Sequence, residues 1–514
     1  MKSRNIFSLF VVLLLVAPVA GRAGEAQRGV GVAVGADGKL CYDCTSGGDR
    51  IADFSHAGYG GGGVRLSAVA VCKEVAPSSG DDSAALQAAL DAVGALPLKD
   101  GVRGAVLLRP GTFRCAQQLT LARDGVVLRG SGAGKEGTVI EMTGAAHICV
   151  SIAGERLRFP KENSAASIPI TDAYVPSGAT SFSVKDARGL AAGDEVLIRR
   201  LATTQWIRFM GMDKLVRNGQ PQTWMKDDSP LTVERSIRAV QGNRITLDVP
   251  LTDALDARFL APGSAVVLKT TRPKRLTHCG LESLRIVSPP PSGTLTEHNN
   301  DAAALDNCED CWIKDVAMFN TLGNVKVGAG ARRITLEDMH AEHAATIEKG
   351  AGYPADFSVS GQQVLIQRCT SSGDGSFYVA TLNSSATLNV ALNCTFQGKG
   401  GIQPHMHWST ALLIDSCRLP DGRIEFINRR TSGSGHGWAI GWAVAWNCVA
   451  QTLTMEQPPG ALNWCIGCTG AFGKNSAQSG PWLSSHGKPV TPPSLYLAQL
   501  RERLGDGALK NIGY

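Results

Sequence analysis

Four short runs in the second half of the chain end alike. Val364–Cys369, Asn389–Cys394, Leu412–Cys417 and Ala443–Cys448 each alternate mostly apolar residues, then set a polar residue before a cysteine. The cysteines follow at steps of 25, 23 and 31 residues, and the runs Leu284–Val287, Trp312–Val316 and Ile334–Met339 share the style. A short strand set repeated at variable length, without long helices between copies, is the mark of a β-solenoid. Equivalent inward side chains of such coils stack, so Cys369, Cys394, Cys417 and Cys448 are expected as one ladder of small buried side chains.

An open solenoid end exposes apolar core and unpaired strand edges, so covers are required. Asp82–Val93 supplies one, with a capping Asp82 and Leu86, Ala89, Leu90 and Val93 on one helical face. Leu497, Leu500 and Leu504 mark a second helix, expected over the far end or along the side. Between about 165 and 275 the style shifts to hairpin-like strands, Ala179–Val184, Glu195–Ile198, Arg238–Val240, Arg244–Val249 and Ala265–Lys269. The expected organisation is an N-terminal module (24–164), an inserted β-rich subdomain (165–275), further coils (276–480) and a tail with a short amphipathic helix (481–514). Trp206, Met210, Met212 and Trp224 make one loop of the insert unusually apolar, suited either to lean over a groove or to fill the join between modules.

Lys2 and Arg4 precede an apolar run from Ile6 to Val16, and Gly21 and Ala23 set small residues at a cleavage site. This is the pattern of a signal peptide, residues 1–23, cleaved near Ala23, and it predicts a secreted or periplasmic protein. The run is too short to span a bilayer comfortably, and no later segment qualifies. The formal charge of +6 shrinks as Lys2, Arg4 and Arg22 leave, so the mature chain is mildly basic. That is compatible with an anionic substrate, and no Lys/Arg run argues for nucleic acid. Fourteen cysteines include CxxC pairs at Cys41/Cys44, Cys308/Cys311 and Cys465/Cys468. Local disulfides or buried thiols are the favoured reading over a zinc site.

Gly80–Ala92, Gly104–Phe113, Leu119–Leu121 and Val126–Gly132, with Asp53–Tyr59 as a lead-in, resemble the N-terminal module of the pectate-lyase superfamily. The resemblance is specific over about 50–145, and the solenoid style extends it to about 480. It implies an all-β, right-handed parallel β-helix, a secreted carbohydrate-active protein and a polysaccharide substrate; it implies no particular polymer.

Elimination on a uronic-acid polymer needs a group to neutralise the carboxylate, a base for the C5 proton and an acid for the leaving oxygen. Residues 403–448 concentrate such types. His405 and His407 lead into one strand and His436 into another, so turns of successive coils bring them to one edge, with Arg429 and Arg430 between. These five are the expected catalytic residues. Alternation sends His407 to the face opposite His405, and one of the two arginines is expected on substrate, the other on solvent or a structural carboxylate. Trp408, Trp438 and Trp442 offer faces for sugar rings, with Asn428, Asp374 and Tyr378 as further binding residues. His56, His147, His278 and His486 read as turn residues. His340 and His343 have only weak metal-ligand spacing, and Lys349 and Tyr378 are reserve bases. No cofactor or metal is expected, Ca²⁺ being the lesser alternative; the partner is an acidic polysaccharide and the state a monomer.

Two rivals stand beside the lyase. A β-helix glycoside hydrolase of polygalacturonase type carries paired aspartates, Gly-His-Gly and Arg-Ile-Lys; here only Gly435–Gly437 matches, with Asn320–Leu322 and Gly373–Gly375 as imperfect stand-ins. A non-catalytic adhesin needs the aromatics but not the histidines and arginines.

Overall fold

The computed structural model describes residues 31–157, 167–260, 263–289, 300–343, 355–476 and 478–514. The expected signal peptide and Lys349 lie outside the described residues.

The chain winds as a right-handed parallel β-helix of three ladders. The first runs from Val71–Val75 and Gly104–Leu108 through Leu365–Gln367 and Ser409–Asp415 to Leu483–Ser484. The second includes Gly111–Cys115, Thr138–Met142, His340–Glu342, Thr370–Ser372 and Thr395–Gln397. The third includes Ile148–Ala153, Asp301–Asp306, Gly323–Val327, Ala355–Val359, Phe377–Thr381 and Gly401–Ile402. Arg418–Phe426 and Val449–Met455 turn from the second into the third.

The repeated polar-then-cysteine signature is the corner between the first and second ladders. Asp338, Arg368, Asn393, Ser416 and Asn447 all stand there at φ between +50° and +57°. This left-handed region admits Asn and Asp more readily than other side chains. The next residue points into the core: Met339, then Cys369, Cys394, Cys417 and Cys448, each almost wholly buried. The thiols are free and bond to carbonyls, as Cys448 Sγ does to Ile414 O at 3.2 Å. Burial pushes the Cys369, Cys417 and Cys448 thiols up, which leaves them inert. Cys308, Cys311, Cys465 and Cys468 are likewise buried free thiols, whereas Cys41 and Cys44 are exposed and free.

Helix α1 (Ser83–Gly94) packs Leu86, Leu90 and Val93 on the first coils. The cap differs from expectation: Asp82 accepts from Ser78 N and Arg114 N, and it is Asp81 that accepts from Ser83 N. At the other end of the chain, helix α3 (Leu495–Leu504) lies along the side of the solenoid with α4 (Asp506–Asn511), while the insert contributes α2 (Thr204–Phe209). Tyr496 Oη donates to Ala57 O at 2.8 Å and Gln499 Oε1 accepts from Phe54 N at 2.8 Å, so tail and N-terminal segment clasp over the outer face of the first ladder. That cover explains why Ser409–Asp415 is buried at every position instead of alternating.

The insert is an antiparallel six-stranded sheet in the order Ser167–Pro169, Ala265–Thr270, Glu195–Ala202, Ser229–Gln241, Arg244–Leu247, Ser181–Ser183. It has its own core around Phe182, Ile198, Ile245 and Val267. Chain order places it between the third ladder (Ile148–Ala153) and the first (Leu276 onward), and it lies along the turns joining those ladders in later coils. Trp206, Met210, Met212 and Trp224 are buried and belong to the solenoid core, so this loop fills the join. A buried ionic cluster welds the same seam: Arg275 meets Glu234 at 2.5 Å, and Glu309 takes Arg332 at 3.0 Å. Burial opposes the charge on Glu309, yet its arginines hold the carboxyl down to about 2.

Candidate active site

The turn from the third ladder back to the first carries Gln403–Trp408 in one coil and Asn428–Trp438 in the next. Strand pairing stacks these turns: Ser409 pairs with Ile440, Trp408 N donates to Trp438 O at 3.1 Å and His407 N to His436 O at 3.3 Å. The rings of His405 and His436 thereby come to 4.7 Å between centroids, and His407 to 6.2 Å from His436. Arg429 reaches back from the longer turn, donating from Nη1 to His405 O at 3.0 Å. Its guanidinium stands 5.7 Å from the centroid of Phe377, which also meets His405 edge-on at 5.5 Å.

Two glycines make the longer turn possible. A Cβ on Gly433 (φ +57°) would land on the His436 imidazole, and one on Gly437 (φ +56°) on the Trp224 indole. Only a residue without a side chain gives both the backbone conformation and the space.

All three imidazoles resist protonation. Burial, then Arg429 and the other two rings, holds His405 down to about 3. Burial, Arg429, His407 and Arg217 hold His436 at about 4, and burial alone lowers His407. The rings are therefore neutral at neutral pH. His436 Nδ1 and His407 Nε2 are buried without a hydrogen-bond partner among the described residues. A neutral imidazole nitrogen with no partner accepts or donates a proton only to what enters beside it.

The two arginines divide. Arg429 faces the rings, while Arg430 turns to Glu456 at 3.2 Å. Asn428 is buried at the base of the turn, with Oδ1 accepting from Arg430 N at 2.8 Å. Glu425, on the neighbouring strand, is held by Gln403 at 2.5 Å and Arg423 at 3.3 Å.

Several expected binding residues sit elsewhere. Trp438 is buried, donates to Met210 O at 3.1 Å and lies under the Trp224 loop, so it offers no open face. Trp408 and Trp442 are also buried, and their Nε1 groups both donate to Asp253, at 2.9 and 3.1 Å. They line a separate cavity of about 750 Å³ between insert and coils. Tyr378 is wholly buried, stacked on Phe396, with its hydroxyl on Gly373 O and Gln397 O; substrate does not reach it. Asp374 accepts from Lys399 N at the corner between the second and third ladders, away from the rings. His340 and His343 diverge: His340 is exposed against Thr370, whereas His343 is buried against Asp356 at 2.5 Å. No group of three or more His, Cys, Asp or Glu is placed to hold a metal among the described residues.

Phe377 and Asp253 were missed in the sequence. Phe377 precedes the singled-out Tyr378, and strand alternation had no means of saying which ring faces out. Asp253 lies 155 residues from Trp408 and carries no local signal.

No family model matches the chain, and no curated protein matches it. Among solved structures, the tailspike protein gp49 of Pseudomonas phage LKA1 is 14% identical at a TM-score of 0.36, over 80% of this chain and 72% of that one. The A-module of mannuronan C-5 epimerase AlgE6 from Azotobacter vinelandii is 12% identical at 0.31, over 80% and 76%. The polygalacturonase of Erwinia carotovora is 9% identical at 0.31, over 83% and 97%. Likeness of this degree assigns no substrate or reaction.

Proposed function

We propose that this chain is an exported polysaccharide lyase that cleaves a uronic-acid-containing polymer by β-elimination at the His405–Arg429–His436 edge. The observation that carries the reading is the meeting of three imidazoles and a guanidinium on stacked turns. In this reading Arg429 pairs with the uronate carboxylate, which lowers the barrier to losing the C5 proton. One imidazole, His436 or His405, takes that proton; the C–H electrons form the C4–C5 double bond as the C4–O bond breaks. The proton passes from the imidazolium to the leaving oxygen, so no water is consumed.

A weak base becomes a stronger one as substrate binds. The incoming carboxylate offsets the Arg429 charge that depresses both rings, which favours their protonated form. A hydrolase would need two carboxylic acids across the scissile bond. Two carboxylates on the adjoining strand ends, Glu425 and Glu456, are instead engaged by Gln403 and Arg423, and by Arg430 and Asn428 N.

The test is incubation with a panel of uronic-acid polymers while following the ultraviolet band of unsaturated uronates. Absorbance that rises in the wild type and is lost in His436→Ala and His405→Ala supports the reading. New reducing ends without that band would move the protein to the hydrolases.

A further inference from the structure

The cavity between insert and coils is not part of the proton-transfer edge. It is lined by Trp206 and Phe209 of the insert, by Trp408 and Trp442 of the coils and by the N-terminal segment at Asp49. Phe209 is an exposed large apolar residue, stacked on Phe259 at 4.2 Å between centroids, and closes on Gly460 across the mouth.

The arginines lining this space are already paired. Arg200 pairs with Asp253 at 2.6 Å and Arg258 with Asp256 at 2.6 Å. Asp49 carries a further negative charge and accepts from Tyr174 Oη at 2.7 Å and Ser177 N at 2.9 Å. Both lining arginines thus already have a carboxylate, and the lining carboxylates outnumber them. An anionic ligand meets repulsion here; a purely apolar one leaves the carboxylates and Tyr174 facing carbon.

We infer that this cavity is a second saccharide-binding site, for a neutral pyranose unit of the polymer rather than a uronate. A pyranose has an apolar C–H face for the accessible Phe209 and Phe259 rings and a hydroxyl rim that donates to carboxylates and carbonyls. The volume of about 750 Å³ falls within the range of small-ligand sites. A site of this charge next to an edge built for an anionic residue implies a heteropolysaccharide with neutral and acidic sugars. The binding claim goes beyond the elimination reading and stands without it.

Tryptophan emission reports the site directly, because Trp206, Trp408 and Trp442 line it. The full chain is titrated with cellobiose, lactose and mannobiose as neutral probes and with digalacturonate as the acidic one. Saturable change with a neutral disaccharide is expected, weakened about tenfold in Phe209→Ala, as for an aromatic anchor, and restored in Phe209→Tyr. His436→Ala should bind the neutral sugar as the wild type does, which separates this site from the proton-transfer edge. No change with any neutral probe, digalacturonate binding more tightly than the neutral probes even in Arg429→Ala, or full affinity in Phe209→Ala each overturns the inference.

Discussion

Arg429 follows burial as the second cause of the low proton affinity of both His405 and His436. Replacing it by alanine removes a like charge, so both rings gain proton affinity, while burial still keeps them below an ordinary value near 6.5. NMR titration of the ring protons should show both midpoints rising from about 3 and about 4 in Arg429→Ala and little moved in Arg429→Lys. Midpoints unchanged in the alanine variant would remove Arg429 from the cluster's electrostatics. The same depression makes a stability prediction. An unfolded chain protonates these histidines near pH 6.5, whereas the folded one does not. Unfolded protein therefore binds more protons, and the rings' contribution to stability falls as pH drops from about 6.5 towards the folded values. The site was partly legible here: types and edge came from His405, His436 and Arg429 in one stretch. Which way each side chain points did not, because left-handed residues such as His407 (φ +59°) and Arg430 (φ +49°) break the alternation on which facing is read.

The corner between the first and second ladders is the element most fully written in the sequence, as a polar residue before each cysteine. One coil after Asn447, Gly467 takes the polar residue's place, at φ +68°, and a Cβ there would strike Asn447 Oδ1. Gly467→Ala should cost about 1–2 kcal/mol for the left-handed backbone alone. The clash adds to this, since Asn447 also ties down Val490 and Pro493. A denaturant midpoint equal to wild type would contradict that account. The tail helix was legible as an amphipathic pattern, but its anchor was not. Asp415 ends an apolar strand, yet its Oδ2 accepts from Ser494 Oγ at 2.7 Å and Tyr496 N at 2.8 Å, fixing the start of α3. Burial nevertheless pushes its carboxyl up to about 6. Against an unfolded value near 3.9, the folded state holds more protons between about pH 4 and 6, so stability falls as pH rises through that window. This slope opposes that of the histidines. The stability difference between wild type and Asp415→Asn should change across the window and be flat above it. Asp415→Ala leaves buried donors unpaired, costs about 1–3 kcal/mol and should raise amide exchange in α3 and α4.

Across the whole molecule, coils contact their neighbours, whereas the insert spans many coils. Local patterns therefore revealed coils and insert separately, and left their docking unread. Strand periodicity is written over a few residues, but Arg200, Asp253, Trp408 and Trp442 meet across more than 200 positions of chain. Trp408 and Trp442 looked like sugar platforms for this reason: nothing near them announces the carboxylate that takes both indole N–H groups. Asp253 is one pin of that docking: it takes both indole N–H groups from the coils while pairing, within the insert, with Arg200, which is only 4% exposed and stacks on Trp206 at 4.1 Å. Removing the carboxylate strands a buried guanidinium and two indole donors together. Breaking a buried pair from one side costs about 3–5 kcal/mol, most of it from the charge left behind. Asp253→Ala should therefore melt earlier, with the insert loosening from the coils before the solenoid unfolds. Tryptophan emission should shift to the red as Trp408 and Trp442 meet water. Arg200→Met combined with Asp253→Leu, which removes both charges, should recover most of the loss, because no unpaired ion remains. If the double variant is no more stable than Asp253→Ala, the lost indole hydrogen bonds to the coils, rather than the guanidinium stranded within the insert, account for the cost.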